Sequence, residues 1–92
     1  MAKQGRRHKV DIYHDILSAI QDEINNEGIA KPTKIHHVCN VSYDKLLRYL
    51  NELDKSGMIV KTDASLSLTN RGNEFLQRYY NMKSINQKLG LR

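Results

Sequence analysis

The sequence is poor in the residues that build several classes of protein. Only one cysteine occurs among the 92 residues, so no disulfide can form within the chain and a reducing cytoplasm is the expected location. No segment approaches the ~20 apolar residues that cross a bilayer, and the N-terminus lacks an apolar signal-peptide core. We therefore expect no membrane contact. A chain of this length has room for one small core, and so for one domain.

Residue patterns typical of catalytic sites, phosphate loops and metal sites are also missing. The sequence contains no evident nucleophile–base–acid set and no glycine-rich phosphate loop. The segment HHVC suggests a metal site at His36, His37 and Cys39, but zinc needs three or four converging ligands, and no second cysteine or acidic cluster lies at a suitable spacing. Cys39 instead falls on an apolar stripe. We expect no enzyme activity, no metal and no cofactor, and no small-molecule effector is evident.

Acidic residues are outnumbered by basic ones. Lysine and arginine total 15 against 10 aspartate and glutamate, which gives a net charge of +5 and favours polyanionic partners, above all nucleic acid. Several cations precede the first acid, so residues 1–8 are predicted to be a flexible basic arm. Arg6 and Arg7 are candidates for minor-groove or phosphate contact, and a solvated tail is the alternative.

Apolar periodicity predicts three helices in the first part of the chain. We place them over residues 9–26, 33–39 and 43–56. Pro32 is tolerated at a helix start, Ser42 is a good N-cap for the third helix, and Gly57 is placed to end it. The residues expected to be buried on the second and third helices are Ile35, Val38, Cys39, Tyr43, Leu46, Leu47, Leu50 and Leu53.

A short hairpin and a last helix follow. MIVKT (58–62) is rich in β-branched residues, and LSLT (66–69) alternates apolar and polar residues, as a half-buried strand does. Thr69 can cap a helix over residues 70–89. Three helices followed by a hairpin predict a winged helix-turn-helix, an α+β fold that is mostly α. The predicted division is a basic arm at 1–8, a winged helix-turn-helix domain at 9–69 and a dimerisation helix at 70–92.

The third helix is the candidate recognition helix. Lys45 and Arg48 are neighbours on one face of its first two turns, where base edges are read, and arginine can bond guanine bidentately. Ser42 and the helix N-terminus suit a phosphate oxygen. Asp44 and Glu52 oppose this interpretation. The predicted DNA contacts are Arg6, Arg7, Lys31, Lys34, Ser42, Tyr43, Lys45, Arg48, Tyr49 and Lys61, with Ser42, Asp44, Lys45, Arg48, Tyr49 and Glu52 facing outward on the helix.

The last helix has more apolar surface than a monomer needs. Phe75, Tyr79, Met82 and Leu89 follow one another at spacings of 4, 3 and 7, which fits a heptad seam with Asn86 in the skipped position. These five residues are the predicted dimer interface, and Leu76 and Tyr80 lie on an adjoining stripe that can face the core. A helix that folds back on a monomer is the alternative.

Three segments resemble a known family. DILSAI in the first helix, VSYDKLLRYLNELDKSGMI around the third and LSLTNRGNEFL after the hairpin are similar to small archaeal winged-helix regulators, which include chromatin-associated proteins. The resemblance implies double-stranded DNA binding by a homodimer paired through an antiparallel coiled coil. We therefore expect a transcription regulator or nucleoid-associated protein in the cytoplasm. The alternative is a winged-helix protein-interaction module without DNA binding.

Overall fold

Within residues 8–88, four helices and one antiparallel hairpin form in the order that the sequence predicts. The computed structural model describes the backbone of residues 8–88 and the side chains of residues 8–83. The elements are α1 (Lys9–Glu27), α2 (Pro32–Val38), α3 (Tyr43–Lys55), β1 (Ile59–Lys61), β2 (Leu66–Leu68) and α4 (Asn70–Lys88). The predicted winged-helix architecture is confirmed. Among the described residues, no helix is both long and apolar enough to cross a membrane.

Local sequence signals set the ends of these helices. Pro32 occupies the first turn of α2, and the Ser42 hydroxyl accepts the Lys45 backbone N–H at 3.3 Å as the cap of α3. Gly57 follows α3 at φ 82°, the left-handed conformation that glycine adopts without a Cβ clash. The three predicted signals are therefore confirmed.

The hairpin attaches the wing to the helical core. β1 and β2 pair with Ile59 opposite Leu68 and Lys61 opposite Leu66. Ala30, in the link between α1 and α2, adds an isolated antiparallel bridge to Leu66, whose N–H donates to the Ala30 carbonyl at 2.9 Å. This bridge joins the turn end of the hairpin to the link before α2, and the sequence pattern did not predict it.

One core joins α1, α2, α3 and the wing. Its fully buried large side chains are Ile16, Leu17, Ile20, Ile35, Leu46, Leu50, Leu53, Ile59 and Leu66. The start of α4 is closed against this core by Thr69, whose hydroxyl donates to the Gly57 carbonyl and accepts the Gly72 N–H. A Cβ on Gly72 would lie 2.3 Å from the Met58 carbonyl oxygen, so only glycine permits this approach.

Three burial predictions are wrong. Val38 is 66% exposed, because Ile35 and Cys39 lie four residues apart on the face of α2 that meets the core and Val38 points about 100° away from Cys39. Tyr43 and Leu47 are 40% and 36% exposed, because the stripe that α3 buries runs through Leu46, Leu50 and Leu53. All three side chains are therefore on the surface.

Candidate nucleic-acid interface

The outward face of α3 carries four polar residues at helical spacing. Asp44, Arg48, Asn51 and Lys55 follow one another at intervals of four, three and four, and all are exposed. We call these four residues the recognition face. Lys45 and Ser42 are also exposed at the N-terminal end of the helix. Sequence reasoning missed Asn51 and Lys55, although their spacing from Arg48 was a signal that could have found both.

The wing contributes a cation to the recognition face. Lys61 is exposed on β1, and its Nζ donates to the Asn51 Oδ1 at 2.7 Å. This contact joins the wing to the recognition helix and places an ammonium group on the recognition face at Asn51. The structure thus brings Lys61 together with α3, whereas the sequence placed it only near the wing turn.

Two residues that were predicted to face outward turn toward α1 instead. Tyr49 is half-buried and packs against Tyr13, with ring centroids 6.0 Å apart in an edge-to-face arrangement. Glu52 accepts a hydrogen bond from the Tyr13 hydroxyl and pairs with Lys9 at 3.4 Å. The outward placement of both residues was wrong, because the N-terminal half of α1 packs along this side of α3.

These contacts fix the charge of Glu52. The hydrogen bond from Tyr13, helped by Lys9, lowers the pKa of Glu52 below its ordinary value, so the carboxylate stays ionised. Burial, together with the bond to Glu52, raises the pKa of Tyr13 to about 12 and keeps its hydroxyl protonated. The Glu52 charge is therefore drawn toward Lys9 and α1 rather than left free beside the recognition face.

The remaining predicted contacts lie around α2 and the N-terminus. Lys31 and Lys34 are exposed at the start of α2. The rings of Tyr43 and His36 meet edge-to-face, with their centroids 5.4 Å apart. Arg6 and Arg7 fall outside the described residues.

Within residues 8–83, no group of three or more histidine, cysteine or acidic side chains could hold a metal ion.

Three of the predicted dimer residues on α4 border an open groove. Phe75, Tyr79 and Met82 line it with Val10 of α1 and Met58, and its volume is about 480 Å³. Charged side chains complete the lining: Arg71, Glu74 and Arg78. Met82 is 51% exposed. The side chain of Asn86 and all of Leu89 lie outside the described residues. The groove neither confirms nor excludes a dimer, so the interface stays a prediction.

Tyr79 rather than Tyr80 docks α4 onto the rest of the domain. Its hydroxyl donates to the Asp11 carboxylate, and its ring stacks on His14 at 4.0 Å. Tyr80 is 69% exposed, so the expectation that it faces the core was wrong. Leu76 is half-buried against the core, as expected.

Comparison with protein families agrees with this architecture. A family model described as winged helix-turn-helix matches residues 6–87. A comparison with curated protein sequences gave no match.

Proposed function

Because the chain belongs to the winged helix-turn-helix family, we propose that it binds double-stranded DNA with α3 in the major groove. The observation that carries this proposal is the recognition face, where Arg48 and Lys55 are exposed and Lys61 joins them from the wing. Cations at these positions suit base edges and the phosphates that flank a groove. Asp44 is the acid in the set, and a carboxylate can accept a hydrogen bond from a cytosine amino group.

The arrangement of charge around this face supports the proposal further. Lys31, Lys34 and Lys45 add exposed cations at the start of α2 and in the first turn of α3. Glu52, an acid that could repel phosphate from the α1 side of α3, accepts a hydrogen bond from Tyr13 and forms an ion pair with Lys9. Asp54 is a second, exposed acid on α3. The wing tip carries Asp63 and no cation, so we do not propose insertion of the tip into the minor groove.

Loss of Arg48 tests this function. Arg48→Ala should weaken binding to duplex DNA by about 1–3 kcal/mol if the side chain reads a base. Binding is measured by fluorescence anisotropy on a selected site and on random duplex at several salt concentrations. Lys83→Ala is the control, because it removes an exposed cation from α4 instead of α3, and Lys83 does not line the groove beside Met82. Equal, small losses on both duplexes would make Arg48 a phosphate contact, and no loss would contradict the proposal.

We further propose that the protein acts as a homodimer, as a transcription regulator or an architectural protein of the nucleoid. The open groove on α4 supports this, because Met82 and Val10 expose apolar surface beside Phe75. A second copy bound there would remove that surface from water. Two linked recognition helices would also hold the duplex more firmly than one, which suits the moderate positive charge of each chain.

A protein-interaction module is the second candidate function. The exposed apolar side chains of Val38, Tyr43 and Leu47 favour it, since they lie on α2 and α3 near the proposed DNA surface. Salt distinguishes the two candidates. Duplex binding should weaken with a slope of about −0.9 in log K against log salt for each phosphate neutralised. Binding that does not depend on salt, or no retention of duplex DNA at low salt, would select the protein partner.

A further inference from the structure

Asn51 is the residue of the recognition face whose side-chain orientation is fixed by a neighbour. It is exposed midway between Arg48 and Lys55, and its Oδ1 accepts the hydrogen bond from Lys61 Nζ at 2.7 Å. The partner comes from the wing, so the contact holds Asn51 between two elements of the domain. An inference about what Asn51 recognises rests on the proposed binding of α3 in the major groove.

The contact determines which hydrogen-bonding groups Asn51 presents. A carboxamide has one oxygen acceptor with two lone pairs and an NH₂ group with two donors. Because Lys61 donates to the oxygen, one lone pair and both Nδ2 donors remain for a ligand. The Lys61 ammonium has three hydrogens, so two of its donors also remain. Asn51 and Lys61 together therefore offer four donors, and the remaining lone pair of the oxygen lies next to a positive charge.

The bases differ in the number of acceptors that they present to such a donor pair in the major groove. Guanine shows two acceptors in the major groove, N7 and O6, whereas adenine shows the N7 acceptor beside the N6 amino donor. An unengaged asparagine pairs with adenine because its oxygen accepts from N6 while its NH₂ donates to N7. In Asn51 that oxygen already accepts from the Lys61 ammonium. The positive charge beside its second lone pair would repel the adenine amino group, whose hydrogens are also positive.

We propose that Asn51 and Lys61 act as one guanine-reading pair, in which Lys61 sets the specificity by engaging the Asn51 oxygen. The pair donates from Asn51 Nδ2 and Lys61 Nζ to N7 and O6 of a single guanine. Lys61 is thus a specificity-determining residue rather than only a phosphate contact. Arg48 lies one helical turn before Asn51 and reads a neighbouring base pair.

Selection from a randomised duplex library tests this proposal. Wild-type protein should enrich guanine over adenine about tenfold at one position, which is the discrimination expected of a good bidentate contact. Asn51→Ala should abolish that preference. Lys61→Met should free the asparagine oxygen and change the preference at the same position from guanine to adenine. Both residues are exposed, so the variants should fold, and circular dichroism checks this.

Lys55→Met is the matched control. It removes a lysine from the same face but leaves the Asn51–Lys61 contact in place. This variant should bind all duplexes more weakly and keep the wild-type base preferences. A change from guanine to adenine in Lys55→Met as well as in Lys61→Met would overturn the role of the hydrogen bond, because any loss of charge would then suffice.

The remaining outcomes separate the inference from the proposed function. If wild-type protein retains duplexes with no base preference, the guanine-reading pair is wrong and duplex binding stands. If Asn51→Ala and Lys61→Met select the same bases as wild type, the pair is again wrong. If wild-type protein retains no duplex at low salt, the proposed function fails, and the inference fails with it.

Discussion

At the scale of single residues, two phenol–carboxylate hydrogen bonds connect α1 to its neighbours. Tyr13 donates to Glu52 of α3, and Tyr79 of α4 donates to Asp11. Burial and the accepting carboxylate raise the pKa of both tyrosines to about 12, and the same bonds lower the pKa of Asp11 and Glu52. At neutral pH the phenols are therefore protonated and the carboxylates ionised, which is the state that forms both bonds.

The bond from Tyr79 should contribute measurably to stability. Tyr79→Phe keeps the ring stacked on His14 but leaves Asp11 without its donor, and we expect a loss of about 1 kcal/mol in the free energy of unfolding. Urea unfolding at pH 8 measures it. Tyr80→Phe is the control, because Tyr80 is largely exposed and its change should stay within about 0.5 kcal/mol.

The same pair of proteins should respond differently to alkali. The Tyr79 pKa is raised from 10.0 to about 12 on folding, so its contribution is complete below pH 10 and is lost as the pH rises through 12. The advantage of wild type over Tyr79→Phe should therefore shrink between urea titrations at pH 8 and pH 11. An advantage that grows over that interval would contradict the assigned hydrogen bond.

At the scale of elements, α3 has one side against α1 and one side free. Tyr49 and Glu52 meet Tyr13 on the first side, while Arg48, Asn51 and Lys55 lie on the second. The contacts with α1 therefore orient the helix and restrain Glu52, the acid on this side of it. The wing completes the free side through Lys61.

Neutralising Glu52 should strengthen duplex binding. Glutamine at this position can still accept from Tyr13, so Glu52→Gln should keep α3 in place while removing a negative charge near the phosphates. We expect affinity to rise about two- to fivefold, because a charge that is partly screened by solvent has a modest effect. Anisotropy with a fixed duplex at 100 mM salt measures the change. Glu27→Gln, at an exposed acid at the end of α1, should have a smaller effect; equal gains from both would indicate net charge alone.

The sequence predicts the elements because periodicity and capping are local properties. The Ser42 cap, the Gly57 terminus and the stripe at Leu46 and Leu50 can each be read within one turn or two of the chain. Arg48 was placed on the outward face by the same reasoning. The structure confirms the cap, the helix terminus, the buried stripe and the exposure of Arg48.

The errors concern contacts between elements. Tyr49 and Glu52 were expected to be exposed because no local rule places α1 beside that flank of α3. The Lys61–Asn51 bond joins residues ten apart in sequence through the turn between a helix and a strand. Val38 was assigned to the core because a helix of seven residues has too few turns to define its buried face.

At the scale of the whole molecule, the proposed dimer would determine how many exposed cations contact the DNA. A single chain of +5 offers a few exposed cations around one recognition face. Two chains would present two such faces, and the groove beside Met82 is the surface through which we propose that they pair. The intrachain contacts of Tyr79 make it unsuitable as a test of that surface, because its loss would also disturb α1.

Met82→Glu should therefore produce monomers. A carboxylate buried against a second copy costs more free energy than the apolar contact provides, whereas the same group is harmless in water. Light scattering should give twice 10.7 kDa for wild type and 10.7 kDa for the variant. Tyr80→Glu, with the same charge at an exposed position, should remain dimeric. Dimers of Met82→Glu, or a monomeric wild type, would remove the groove as the interface.

The most direct test of duplex binding through α3 is an NMR titration of the labelled protein with a short DNA duplex. The largest amide shifts should occur from Ser42 to Lys55 and at Lys61, and raising the salt concentration should reverse them. Shifts that are absent from α3, or that map only to α4, would contradict the account.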